Sequence, residues 1–207
     1  LAANVNAWFQ KKPERRMART LGGDLRAFLS NRYQRIEHEE MAKVALPILL
    51  SIPGLKVVSS EITERRLYIQ AVTPLTKAVK VGDEVQAGII IKNSEVGHGS
   101  VSIQPLIWRL RCLNGMISAD GAFRANHVGR QVEEGAMAAI DYSDDTKLAD
   151  DKAVLLKVRD HIMHAVDAIE FGKRVDRMAS LAGSGELKNP VKGIEVLANK
   201  MGFGEGE

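Results

Sequence analysis

From Glu37 onward the apolar positions Met41, Val44, Ala45, Ile48 and Leu49 recur at helical spacing, and Ser51 to Gly54, with Pro53, ends the run. The period then changes. Leu67, Ile69 and Ala71 alternate with other residues over 66–72, and Val85, Ala87, Ile89 and Ile91 do so over 85–92, which predicts two strands with Gly82-Asp83 as turn chemistry before the second. Residues 96–99 separate these from a third run, 101–113, in which Val101 and Ile103 hold one parity and Leu106, Trp108, Leu110 and Cys112 the other. Pro105 stands at the change. A proline inside a strand marks an edge or a bulge, and a bulge would exchange the two faces. Asn114-Gly115 and Asp120-Gly121 are further turn signals, so 116–119 and 122–128 are expected to form a fourth, shorter hairpin.

Past Ser143-Asp144-Asp145 the pattern is helical again, with Val154, Val158, Ile162, Ala165, Val166, Ile169, Val175, Met178 and Leu181 tracing one stripe that Gly172 would kink. Gly183-Ser184-Gly185 breaks it. Asn189-Pro190 reads as an N-cap followed by proline at the first helical position, opening a short helix that Gly202 ends. At the other end of the chain, 8–19 reads as a basic helix or arm interrupted by Gly22-Gly23, after which Asp24 would cap another helix. The expected fold is α+β: a twisted antiparallel sheet of three to five strands backed by a long C-terminal helix. Residues 37–182 form its core domain, 1–36 a basic N-terminal arm and helix, and 183–207 a flexible break and short C-terminal helix.

Composition narrows the class. With 207 residues, 45% hydrophobic and 27% charged, the chain is long enough for a proper core and far from the balance of a disordered one. Its single cysteine, Cys112, closes no internal disulfide and builds no multi-thiolate zinc site, which points to a reducing cytoplasm. No stretch reaches the length of a membrane span, so no membrane partner is expected. The formal net charge is +3, but it is unevenly placed: residues 1–35 hold Lys11, Lys12, Arg15, Arg16, Arg19, Arg26, Arg32 and Arg35 against only Glu14 and Asp24. A basic segment on a slightly acidic body is a candidate footprint for nucleic acid. The alternative is an ordinary solvated face.

Candidate chemistry is sparse. His161 and His164 sit three apart on the long helix, as a two-histidine metal site would require, but they supply too few ligands, and a structural role is expected. Cys112 reads as a core residue. No Walker loop, dinucleotide fingerprint or nucleophile elbow is present. The chain is therefore expected to have no catalytic residue, metal or cofactor. Arg109 and Arg111 fall on one face of the third strand, where two guanidinium groups side by side suit phosphate.

Asn93-Ser94-Glu95-Val96-Gly97, then Arg109-Leu110-Arg111-Cys112-Leu113-Asn114-Gly115-Met116, then His127-Val128-Gly129 resemble the core of the family known as phage/plasmid-like protein, a domain of unknown function. Arg26-Ala27-Phe28-Leu29-Ser30-Asn31-Arg32-Tyr33 is similar to its N-terminal motif. The resemblance spans 26–204 and implies an origin in phages, plasmids or mobile elements; members continue further, which implies a truncated C-terminus. It transfers no activity. The order helix, antiparallel strands, long helix also resembles the core of single-strand-annealing recombinases, a likeness of pattern alone.

The expected function is accordingly a single-stranded DNA-binding protein, acting as a homo-oligomer and promoting strand annealing. Its surface would comprise Lys11, Lys12, Arg15, Arg16, Arg19, Arg109 and Arg111, with Trp8 or Tyr33 stacking on bases. A phage structural or scaffolding protein is the alternative, and a metal-dependent enzyme the second.

Overall fold

The computed structural model describes residues 2–11, 16–30, 32–111, 114–127, 142–185 and 189–200. Among them, helix α1 (Ala2–Lys11) precedes strands β1 (Arg16–Leu21) and β2 (Asp24–Ser30) and helix α2 (His38–Leu50). Six strands follow: β3 (Lys56–Ile62), β4 (Leu67–Lys80), β5 (Asp83–Asn93), β6 (Val101–Arg109), β7 (Asn114–Ile117) and β8 (Phe123–Ala125). Helices α3 (Asp144–Val166), α4 (Ala168–Gly183) and α5 (Pro190–Lys200) complete the order.

β3 to β8 form one antiparallel sheet, ordered β3-β4-β5-β6-β7, with β8 pairing the other half of β6. The α+β class is as expected, and the sheet is larger than expected. β3 lacks a clear alternation in the sequence: all seven of its residues are exposed, and its register slips between Val57 and Ser59. The alternation read on the next strands puts Leu67, Ile69, Ala71, Ile89, Ile91, Val101 and Ile103 on one face. There they pack with Met41, Ala45 and Leu49 of α2 and Val158, Ile162 and Ala165 of α3. Complete burial of side chains such as Ile89, Ile103 and Ile162 contributes roughly 1.5–3 kcal/mol each. A second cluster joins Val79, Val85, Ala87 and Ile107 to Phe171 and Val175 of α4. All the helical packing of both clusters lies on that one face.

Pro105 makes no bulge against β5: the register runs unbroken from Val85 opposite Arg109 to Lys92 opposite Ser102. Val101, Ile103 and Ile107 all face the helices, so the expected exchange of faces does not occur. Pro105 instead sits between the stretches of β6 paired by β8 and by β7, and its carbonyl accepts a bond from Ser118 N at 2.9 Å. Its missing N–H therefore falls in the gap between two partner strands. β7 and β8 each pair with β6, so the hairpin expected between them is absent.

Two further expectations are corrected. The basic segment is not one helix, and Asp24 caps none: α1 ends at Lys11, and 16–30 is a β-hairpin in which Leu21 faces Asp24 across Gly22-Gly23. These glycines have φ of 60° and 92°, the left-handed values a two-residue hairpin turn requires. The long helix is two helices, and it breaks at Asp167 rather than at Gly172. Asp167 takes an extended ψ of 133°, and its carboxylate accepts from Glu170 N at 3.0 Å, capping α4. Asn189 caps α5 as expected, accepting from Lys192 N at 3.0 Å. No helix among the described residues is long and apolar enough to cross a membrane.

Candidate nucleic-acid interface

The face of the sheet turned away from the helices carries the candidate site. Side chains of directly paired residues share a face, so the registers define a row crossing five strands: Glu61 on β3, Tyr68 on β4, Lys92 on β5, Ser102 on β6 and Arg124 on β8. Ser59, Gln70, Ile90 and Gln104 form the next row. Above them opens a trough of about 810 Å³ whose walls include Arg65, Arg66, Lys92, Arg124 and His98, with Glu61 its one carboxylate among the described residues. Four permanent cations face one anion. The Lys92 Nζ stands 5.7 Å from the centre of the Tyr68 ring, whose hydroxyl donates to Gln70 Oε1 at 2.7 Å. Arg124 Nε donates to Ser100 Oγ at 3.0 Å, and the buried Gln104 Oε1 has no partner among the described residues.

Two loops make the walls, and one serine joins them. In the β3–β4 turn Thr63 Oγ1 accepts from Arg66 N at 3.0 Å and Arg65 N at 3.2 Å, which holds the consecutive arginines at the rim. Ser94 Oγ donates to Arg65 O at 2.7 Å and accepts from His98 N at 3.0 Å, tying that turn to the 94–99 loop. Gly97 at φ 79° gives this loop its left-handed corner, and a Cβ there would meet Leu29 Cδ2 at 3.2 Å.

Behind the wall lies a polar cluster assembled from the separate sequence motifs. The Asn93 amide donates to Ile36 O at 2.8 Å and its Oδ1 lies 3.1 Å from His127 Nε2; His127 Nδ1 lies 2.8 Å from Gln34 O. Glu95 accepts from His38 N at 2.6 Å and from Arg26 at 3.3 Å, while Arg19 grips Glu37 with two hydrogen bonds. These bonds clip the hairpin to α2 and to the 94–99 loop. The Arg19 guanidinium holds the Glu37 carboxyl below the usual range, and burial pushes His38 and His127 below the ordinary histidine value.

The residues expected from sequence do not converge. Arg19 is half-buried and bound to Glu37. Tyr33 is 7% exposed, its hydroxyl donates to Ser94 O at 3.0 Å, and its ring stacks on His127; burial pushes its pKa up to about 12. It offers no face to a base. The strand stops at Arg109, which pairs with Asp83 at 3.0 Å, and Arg111 lies in the following turn, so the two share no strand face. Lys11 and Arg16 are exposed on α1 and β1. Lys12, Arg15, Cys112 and the Trp8 side chain lie outside the described residues. His161 stacks on Phe123 at 4.6 Å, and His164 faces Glu170 at 3.9 Å. No cluster of three metal-ligating side chains occurs among the described residues.

Arg65, Arg66, Tyr68, Lys92 and Arg124 went unrecognised in the sequence. The signal was parity: 68, 92 and 102 are the positions left over once the apolar face is assigned.

A two-layer α+β protein with helices on one sheet face and a basic trough on the other is the class that fold and site define. The family model described as "Domain of unknown function (DUF932)" matches residues 27–160, and the chain belongs to that family. That span holds every residue of the trough. No curated protein and no solved structure matches the chain.

Proposed function

We propose that the protein binds single-stranded DNA along the open face of its sheet. The observation that carries this reading is the convergence of Arg65, Arg66, Lys92 and Arg124 around Tyr68, on the sheet face opposite the one against which α2, α3 and α4 pack, with Glu61 the one opposing carboxylate among the described residues. A single strand needs a cationic track for its phosphates and an aromatic face for its unstacked bases, and the trough offers both. On the hairpin Arg19 and Arg26 are paired with Glu37 and Glu95, which favours the trough over these two residues as the binding surface.

In its fuller form the reading has the chain acting in the cytoplasm for a phage or other mobile element, as a homo-oligomer that anneals complementary strands. Its support is the resemblance of the 26–33, 93–97, 109–116 and 127–129 motifs, together with a sheet backed by helices. The test is a fluorescence-anisotropy titration of labelled oligothymidylate and of a duplex of equal length, at low and raised salt. Tighter binding of the single strand that weakens linearly on a log–log salt plot is expected. Preference for the duplex, or for an RNA strand, reassigns the ligand. No binding at low salt overturns the reading and leaves the structural or scaffolding alternative.

A further inference from the structure

Strand β3 forms one edge of the sheet, and it is bare. Among the described residues it pairs with β4 on one side only, and all seven of its residues are exposed, with Val57, Val58 and Ile62 at 54%, 47% and 72%. An exposed edge of this length is a template for another strand, because its outward N–H and C=O groups lack partners within the sheet. Natural edges of this kind carry charges that decide which strand is admitted. Here the charges are self-complementary. The register with β4 slips between Val57 and Ser59, so that Lys56 lies opposite Val72 and Glu61 opposite Tyr68. Val72 and Tyr68 are four residues apart on β4 and share a face, so Lys56 and Glu61 point to the same side although their numbers differ by an odd count. An antiparallel copy of 56–61 laid against itself then places each Lys56 opposite the other chain's Glu61, and each Val57 opposite a Ser60.

We propose that β3 pairs antiparallel with β3 of a second copy of the chain, with Lys56 of each facing Glu61 of the other. The inference deepens the reading given above, because β3 is where the trough begins. Glu61 opens the row that runs through Tyr68, Lys92 and Ser102 to Arg124. Pairing at β3 joins the two open faces across a twofold axis, with the two rows antiparallel and offset by the four positions that separate Tyr68 from Val72, about 13 Å along the strands. At about 4.8 Å per strand, a face about 19 Å wide becomes one about 43 Å wide. The Glu61 carboxylate, the one anion among the described residues of each trough, is then drawn to the Lys56 of the other chain, which leaves the joined face more basic than two separate ones. Exposed valine and isoleucine on the helix side of the edge are covered at the same time.

The experiment is sedimentation equilibrium of the full chain without nucleic acid, on wild type, Lys56→Glu, Glu61→Lys, the double variant, and an equimolar mixture of the two single variants. Each single substitution turns both attractive pairs of the interface into repulsive ones. The wild type is expected to be a dimer and each single variant to dissociate about tenfold more readily. The double variant is expected to recover the wild-type mass, and the two single variants to form a mixed dimer. Circular dichroism of each variant checks that these exposed substitutions leave the fold intact. A monomeric wild type, or single variants as dimeric as wild type, overturns the proposal, as does a mixture that stays monomeric. A dimer with this charge pattern that binds no oligonucleotide leaves the interface standing and removes the nucleic-acid reading. A monomer that binds does the reverse.

Discussion

Replacing Lys92 and Arg124 together by alanine removes two of the four cations of the trough, two strands apart along the cross-strand row. If each cation meets one phosphate of a single strand, it contributes about 0.7 to the slope of log affinity against log salt. Four contacts then set a slope of about −2.8, and the double variant falls to about −1.4. At 0.1 M salt, a decade below the 1 M reference, two lost contacts amount to about 1.4 logarithmic units, a roughly 25-fold weaker Kd. Anisotropy titrations of an oligothymidylate between 0.05 and 0.3 M salt, about a factor of six in concentration, measure both quantities. The fold should survive: Arg124 is exposed and, among the described residues, donates only to Ser100, while Lys92 reaches over Tyr68, so stability is expected to fall by no more than about 1 kcal/mol. A folded double variant with wild-type affinity and slope refutes the assignment of the trough, whatever the wild type binds.

Tyr68→Ala is expected to weaken oligonucleotide binding by about 1–3 kcal/mol with the salt slope unchanged, since stacking releases no counterions; a changed slope would mark Tyr68 as positioning a cation instead. Asp167→Ala is expected to cost about 1 kcal/mol in a urea melt, because Glu170 N loses its cap at the α3–α4 break. Burial holds His38 and His127 below the ordinary value, so the unfolded chain takes up protons that the folded one refuses, and stability must fall as pH drops through about 6.5. Urea midpoints at pH 7.5 and 5.5 measure the loss, and His127→Gln is expected to reduce it; equal wild-type midpoints contradict the buried-neutral assignment.

Where one face of an element is buried and the other is not, its position was legible in the chain. The alternation of Leu67, Ile69 and Ala71, and of Val85 through Ile91, located the central strands, and the stripe from Met41 to Leu49 located α2. β3 and the 16–30 hairpin left no such trace, because exposed strands need no apolar alternation. Asp167 did leave one: an acidic cap three residues before Glu170 is a helix-start signal inside an otherwise continuous stripe. The expected site failed for a different reason. Charge density along the sequence picks out Arg19 and strand parity picks out Arg109, but whether a guanidinium is available depends on partners such as Glu37 and Asp83, 18 and 26 positions away, which only folding brings to it. The trough residues are scattered from 61 to 124 and become one surface through strand register and the two loops at its rim.

The central claim is that a single strand lies on the open face of the sheet, and photocrosslinking locates it most directly. An oligothymidylate bearing 4-thiothymidine is irradiated in complex with the full chain, and the adducts are mapped by mass spectrometry after digestion. Adducts at Tyr68 and among the rim residues 65–66, 98–100 and 124, suppressed by unlabelled oligothymidylate, are the expected result. Adducts confined to α1, the 16–30 hairpin or the outer surface of α4 would contradict it.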